Sequence, residues 1–451
     1  MIRKQSIALH KKTAINRCFK LPLCLIFLAI FFHSCKTDKT PAAPMTETGC
    51  NNELTPVVMV HGFLASGDTY EKQAMRFTTN GYCRERIFAF DWNSLSNDDK
   101  TPLLDQFIDD VLRETGAEQV DLLGHSAGGG LGYSYLSDSL RSQKVRRYVH
   151  LASGANSGPA GPAGEIPTLN IWSDGDEVVS SSDIPGAENL MLIGADHYEA
   201  ATSEETFSAI YAFLNDGESP TTTEILPEME IALSGKILTF AENNPTNGAN
   251  LQIFEVNPAT GERLSTAADA EFTADAAGNW GPFAAEAETT YEFFVSSSDT
   301  AERPVHYYRE AFIRSNHLIY LRTVPPPTTF AGTLLNILPK EDEESVLAVF
   351  SASQAVIHQR DQLTVNNRQL ATEALASADQ TTIAFFIFDT GDNMTSEDAH
   401  PLFLAFSFLN AVDIFIPSTP ASAIELTFNG RNLVVRNWPS ETGGVVVPVF
   451  D

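Results

Sequence analysis

Gly124-His125-Ser126-Ala127-Gly128 constrains this chain more than any other segment. It follows Val120-Asp121-Leu122-Leu123, an apolar run of strand length, and precedes a small-residue stretch, Gly129 to Ser139, that can be helical. A strand, a sharp turn carrying a serine and then a helix make the G-x-S-x-G nucleophile elbow. The turn strains the serine backbone, so its flanking positions must lack bulk, and glycine supplies that. The helix N-terminus beneath the serine presents free N–H groups to an oxyanion. Ser126 is therefore the expected nucleophile, and Ala127 N–H one expected oxyanion donor.

An earlier strand, Pro56 to Val60, ends in His61-Gly62-Phe63. With such an elbow, an N–H from the loop after an earlier strand completes the oxyanion hole. Phe63 N–H is the candidate. A serine needs a base, and the base needs an orienting carboxylate. These follow the nucleophile in the order acid, then histidine. Of the 10 histidines, His10 and His33 fall in the leader, and His61, His125 and His150 come too early. His197, after the apolar strand Leu190 to Ile193, is the one left in this part of the chain. A helix Ser203 to Asn215 follows, with Thr202 and Glu205 spaced as a capping box. Strand Thr168 to Trp172 delivers the acid loop, where Asp174, Asp176 and Asp183 compete. Asp176 is preferred because the loop then turns back into Val178-Val179; Asp174 stays open.

The chain has 451 residues, too many for one core, with 58 acidic against 29 basic side chains and a net charge of −29. An acidic surface repels nucleic acid and anionic membranes. The basic n-region and the apolar stretch Leu21 to Phe32, too short to span a bilayer, read as a secretion signal over 1–34. Ser34-Cys35 then resembles the end of a bacterial lipoprotein signal, which implies lipidation of Cys35 and a membrane anchor; a plain signal peptide cut nearby is the alternative. The expected address is the cell envelope or surface, or the medium if the anchor is absent. Residues 35–53 read as a tether. Cys50 and Cys83 remain in an oxidising compartment and could pair.

Residues 54–217 alternate strand and helix, which predicts a mostly parallel sheet with helices on both faces. Helix Thr101 to Thr115 places Leu103, Leu104, Phe107, Ile108, Val111 and Leu112 on one face. Ligands should bind at the carboxyl ends of the strands. No room exists for a large lid, since Asn93 to Lys100 is a short polar loop and Gly154 to Gly164 a Gly/Pro/Ala loop, so the site should be open unless a later domain covers it. From Ser219 the texture turns β-rich, giving one sandwich over 218–325. A break at Pro325-Pro326-Pro327 separates it from a second block over 326–451. That block holds strands at Thr382 to Phe388, Leu402 to Phe408, Ile414 to Ile416 and Leu433 to Val435. Asp389, Asp392 and Asn393 match only part of a calcium loop and read as a solvated turn. No zinc, phosphate or nucleic-acid motif is present, and no metal or cofactor is expected.

Residues 54–216 resemble the small secreted bacterial lipases of the α/β-hydrolase superfamily. The matching pieces are Pro56 to Gly62, Val120 to Gly128, Asp176 to Val179 and the loop around His197. The whole mature chain is similar to an archaeal lipase with a C-terminal β-rich lipid-binding region. That match rests on Ala74 to Phe77, Asn80 to Tyr82, His306 to Arg309, Phe406 to Leu409, Asp413 to Pro417 and Asn429 to Arg431. Block 228–300 also resembles carboxypeptidase regulatory-like sandwiches. Two departures stand out: the archaeal relative carries a lid insertion where this chain has Asn93 to Lys100, and takes its acid from the position held here by Ser153.

The resemblance implies a minimal α/β-hydrolase domain without a large lid, followed by two β-sandwich-like blocks. It implies a carboxylic-ester hydrolase acting on lipid or short-chain esters through Ser126, His197 and Asp176. The rival readings are a surface binding lipoprotein with an inert hydrolase fold, or the same triad turned on an amide or polyester. Composition sets no oligomeric state. Because every site candidate precedes it, a chain ending near Asp216 is expected to hydrolyse short esters.

Overall fold

The structure is a computed structural model that describes residues 49–297 and 302–451. The leader over 1–34 and Cys35 lie outside the described residues. No helix among the described residues is long and apolar enough to cross a membrane.

Six strands build the first sheet: β1 (Val57–Val60), β2 (Ile87–Phe90), β3 (Val120–His125), β4 (Val145–Leu151), β5 (Thr168–Ser173) and β6 (Glu188–Leu192). Their order is β2-β1-β3-β4-β5-β6, and every neighbouring pair is parallel. The intervening helices are α1 (Glu71–Thr79), α2 (Thr101–Thr115), α3 (Ala127–Leu136), α4 (Glu199–Thr202) and α5 (Glu204–Leu214). Successive strand residues face opposite sides of the sheet. Val57 and Met59 accordingly share a core with Phe77 of α1 and Phe207 of α5. Val58 and Val60 share another with Leu104 of α2 and Leu136 of α3. In α2 the buried stripe is narrower than expected: Leu104, Ile108 and Val111 are buried, while Leu103 is exposed. The cap of α5 is Ser203, whose Oγ accepts from Thr206 N–H at 3.2 Å, so the expected box at Thr202 and Glu205 is displaced by one residue.

Cys50 and Cys83 are joined by a disulfide. It closes a loop of 33 residues and ties the entry of the chain to the segment after α1. Such a loop stabilises by about 3–4 kcal/mol in the chain-entropy account.

The next strands are β7 (Ile231–Thr239), β8 (Asn250–Glu255), β9 (Ala270–Thr273), β10 (Asn279–Ala285), β11 (Tyr291–Ser296), β12 (Val305–Arg309) and β13 (Asn316–Thr323). After the proline break come helix α6 (Phe330–Leu335) and strands β14 (Val346–Ser351), β15 (Leu363–Val365), β16 (Arg368–Gln369) and β17 (Ala384–Phe388). The last are β18 (Leu409–Asp413), β19 (Ala423–Phe428), β20 (Arg431–Arg436) and β21 (Val445–Phe450). They form three layers: β10-β7-β13, then the eight-stranded β18-β17-β14-β21-β12-β11-β8-β9, then β16-β15-β19-β20.

The middle sheet crosses the expected boundary at 325/326. Strand β21 pairs in parallel with β12 on one side and β14 on the other. The two sandwiches therefore share their central sheet: its Val445 and Val447 face the three-stranded layer, and Val446 faces the four-stranded one. The β-region also packs directly on the α/β unit. In β13, Ile319 and Leu321 point into the sandwich, whereas Leu318 and Tyr320 join the core containing Val57, Phe77 and Phe207. The expected strand Leu402 to Phe408 is instead a short 3-10 turn, Phe403–Ala405, with β18 starting at Leu409. The reason is local: Phe408 has φ +73°, outside the extended region that a regular strand needs of a residue with a side chain. Residues 414–416 likewise lie outside any strand.

Candidate active site

Strand β3 runs straight into the serine turn. Ser126 has φ 53° and ψ −122°, a backbone state costing on the order of 1–3 kcal/mol for a non-glycine residue. The turn persists because nothing bulkier fits around it. A Cβ on Gly124 would sit 2.4 Å from the Gly128 carbonyl oxygen, and one on Gly128 2.3 Å from that of Val60. Ser126 N–H donates to the Leu151 carbonyl at 2.9 Å, pinning the turn to the end of β4. Ser153, at the position where the archaeal relative carries its acid, donates to the Ser126 carbonyl at 2.8 Å. Ala127 is the first residue of α3, where an N–H has no intrahelical acceptor.

Gly62 lies against the serine: a Cβ there would approach Ser126 Cβ to 2.9 Å. Gly62, Phe63 and Leu64 share with Ser126 and His197 the lining of one cleft of about 920 Å³, its open mouth included. The far wall comes from the β-region, through Phe240, Phe350, Ile383, Phe408 and Leu409. The site expected to be open unless a later domain covered it is thus walled by one.

His197 is buried, and its Nδ1 is 2.7 Å from Asp176 Oδ2. Asp176 Oδ1 accepts from the N–H groups of Val178 at 2.8 Å and Val179 at 2.9 Å. Burial acts to raise the Asp176 carboxyl, but the His197 hydrogen bond and these two N–H groups outweigh it and hold the group below the usual carboxylate range. With Nδ1–H donated to a carboxylate, Nε2 is left as an acceptor, and it has no hydrogen-bond partner among the described residues. The competing carboxylates are used otherwise. Asp174 accepts from Gly194 N–H at 2.7 Å, and Asp183 from Trp172 Nε1 at 3.0 Å.

Several partners carry no sequence signal. His125 Nε2–H donates to the His197 carbonyl at 2.9 Å, and the two rings lie 4.8 Å apart. Burial pushes His125 down to about 3, so it stays neutral. Phe408 stacks on the His197 ring at 5.8 Å and 23°. Asp196, immediately before His197, caps the turn into α4 with Oδ1. Its Oδ2 accepts from Arg360 at 2.9 Å and from Ala355 N–H at 3.1 Å, both in the β-region. Arg322 of β13 holds Asp68 in a bidentate pair at 2.6 and 2.7 Å and also reaches Ser66.

Asp389 Oδ2 accepts from Gly391 and Asn393 N–H groups and closes a turn. No group of three or more His, Cys, Asp or Glu side chains among the described residues could hold a metal ion.

Residues 55–162 match the family model for the alpha/beta hydrolase fold, and residues 229–326 match that for the lipase C-terminal domain. A further C-terminal domain model matches 349–451. Residues 55–162 thus form a domain of the α/β-hydrolase fold, and a β-rich C-terminal region that includes a match to a lipase C-terminal domain follows it. Among solved structures, a predicted CIB-like hydrolase from Thermoplasma acidophilum is 18% identical, with a TM-score of 0.28 and coverage of 36% of this chain and 86% of that one. A bacterial membrane phospholipase A is 15% identical, with a TM-score of 0.30 and coverage of 38% and 81%. A Bacillus licheniformis lipase is 14% identical, with a TM-score of 0.30 and coverage of 37% and 94%.

Proposed function

We propose that the protein is a serine carboxylic-ester hydrolase. The observation that carries this reading is His197, paired with Asp176 and lining the same cleft as a strained, half-buried Ser126. Ser126 Oγ attacks the ester carbonyl while His197 Nε2 takes its proton. The N–H groups of Phe63 and Ala127 stabilise the tetrahedral oxyanion. The ester C–O bond breaks, and the alcohol leaves with the proton from His197. Water then enters, gives a proton to His197 and attacks the acyl-enzyme. The acid departs as Ser126 recovers its proton. The apolar cleft wall suits an acyl chain, so the substrates are lipid or short-chain esters.

The reading of the leader joins this proposal: an exported lipoprotein held by a lipid on Cys35. A disulfide at Cys50–Cys83 supports an oxidising address. Initial rates on p-nitrophenyl esters from acetate to palmitate test the activity. Turnover of some member is expected, together with covalent capture of Ser126 by a fluorophosphonate. Absence of both overturns the proposal.

Asp176→Asn should lower kcat about 10³- to 10⁴-fold, and Asp174→Asn only a few-fold. The Val178 and Val179 N–H groups keep the asparagine oxygen on their side, turning its NH₂ towards His197 Nδ1. The proton is then forced onto Nε2, where it blocks acceptance of the serine proton. Steady-state kinetics of the two variants check this, and the reverse ranking would move the acid to Asp174.

A further inference from the structure

The loop that carries Phe63 is held from outside its own domain. Asn243 stands in the turn after β7, which brings the chain back against the α/β unit. The turn contains two non-glycine residues in the left-handed region, Ala241 at φ +68° and Asn243 at φ +57°. Asparagine tolerates that state, whereas alanine rarely adopts it. The turn closes through Asn243 N–H to the Thr239 carbonyl and Thr239 N–H to the Asn244 carbonyl.

Asn243 is only 7% exposed. Its Nδ2 donates to the Ala65 carbonyl at 2.7 Å and the Trp92 carbonyl at 3.1 Å, and faces His61 Nε2 at 3.4 Å. The orientation of the amide follows from its partners, because two carbonyls can only accept. His61 is an acceptor at Nε2 as well. Its Nδ1–H donates to the Gly62 carbonyl at 2.8 Å, and Nε2 accepts from Trp92 N–H at 3.2 Å. Burial holds His61 below its ordinary value and so keeps it neutral. Trp92 Nε1 donates to the His61 carbonyl at 3.1 Å, and the two rings stack at 5.7 Å.

These bonds bracket the segment from His61 to Ala65 at both ends. Phe63 lies in its middle, beside the glycine that touches Ser126. An oxyanion donor acts by being fixed before the charge develops. We infer that Asn243 is a positioning residue for the oxyanion loop, supplied by the β-region and required for turnover rather than for substrate binding. The inference rests on the esterase reading above.

Asn243→Asp keeps the shape and replaces the donor with acceptors facing two carbonyls. Asn243→Ala removes the group, and alanine must also take up the left-handed backbone that asparagine tolerates. Asn244→Ala, at the exposed neighbour in the same turn, is the control. The assay is kcat and KM on p-nitrophenyl butyrate, with active sites counted by a fluorophosphonate taken to completion. Both Asn243 variants should lose about 10- to 100-fold in kcat per titrated site, with KM within about threefold. Asn244→Ala should match the wild type. A purely structural role would instead lower the number of titrated sites and leave kcat per site unchanged, which overturns the inference. An equal loss in Asn244→Ala overturns it too, since any disturbance of the turn would then suffice. A wild-type protein that neither turns over ester nor reacts with the fluorophosphonate brings down the esterase reading itself, and this inference with it.

Discussion

Ser126→Ala should abolish ester hydrolysis, by on the order of 10⁴- to 10⁶-fold in kcat, while the protein folds as before. The change removes one hydroxyl at the cleft and no core group. It also leaves in place the bond from Ser126 N–H to the Leu151 carbonyl and the one from the Ser153 hydroxyl to the Ser126 carbonyl. Serine and alanine carry the same Cβ and so meet the same backbone cost at φ 53°, and stability should move by less than about 1 kcal/mol. Thermal unfolding and p-nitrophenyl butyrate turnover, measured on the same preparation, make the test. A well-folded variant that keeps a tenth of the activity would place the nucleophile elsewhere.

The second large effect concerns the β-region. A chain ending near Asp216 should yield little soluble monodisperse protein, and what is recovered should be at least about 10⁴-fold less active, even on butyrate. Two independent losses produce this figure. Without Arg360 and Ala355, Asp196 loses both bonds to its Oδ2, and without Phe408 the His197 ring loses its stacking partner. Without Arg322 and Asn243, the loop carrying Phe63 loses its outer supports. A misplacement of about 1 Å can cost about 10²-fold at each. The solubility loss follows from Leu238, Leu318 and Tyr320, whose removal bares the core around Phe77 and Phe207. Gel filtration followed by assay of the monomer peak decides. A monodisperse fragment with full butyrate activity would show that the hydrolase domain completes its own site.

This expected outcome departs from the one drawn from the sequence, because the braces from the β-region are visible only in the folded chain. The elbow was legible because its causes are local: a strand, two glycines and a helix within a few residues. His197 was legible by its order in the chain. Asp176 was one of three carboxylates, and only the folded loop, which spends Asp174 on Gly194 and Asp183 on Trp172, separates them. Arg360, Asn243 and Phe408 were not legible at all. They reach the site from remote parts of the chain and follow no spacing rule. Phe406 and Phe408 alternate as a strand would, yet Phe408 turns left-handed to meet His197. The proline break at 325 read as a boundary because proline interrupts local structure, whereas parallel pairing of β21 with β12 and β14 is non-local and leaves no such mark.

The place of β21 also governs when this molecule can begin to work. The segment Val445–Phe450 is threaded between strands made some 140 and 100 residues earlier, and the eight-stranded sheet stays split into halves until it arrives. The Ser126 elbow is synthesised in the first third of the chain, but Phe350, Phe408 and Leu409 of its cleft wall lie on or next to strands of that sheet. A nascent chain therefore carries Ser126 long before that part of the cleft wall is in place.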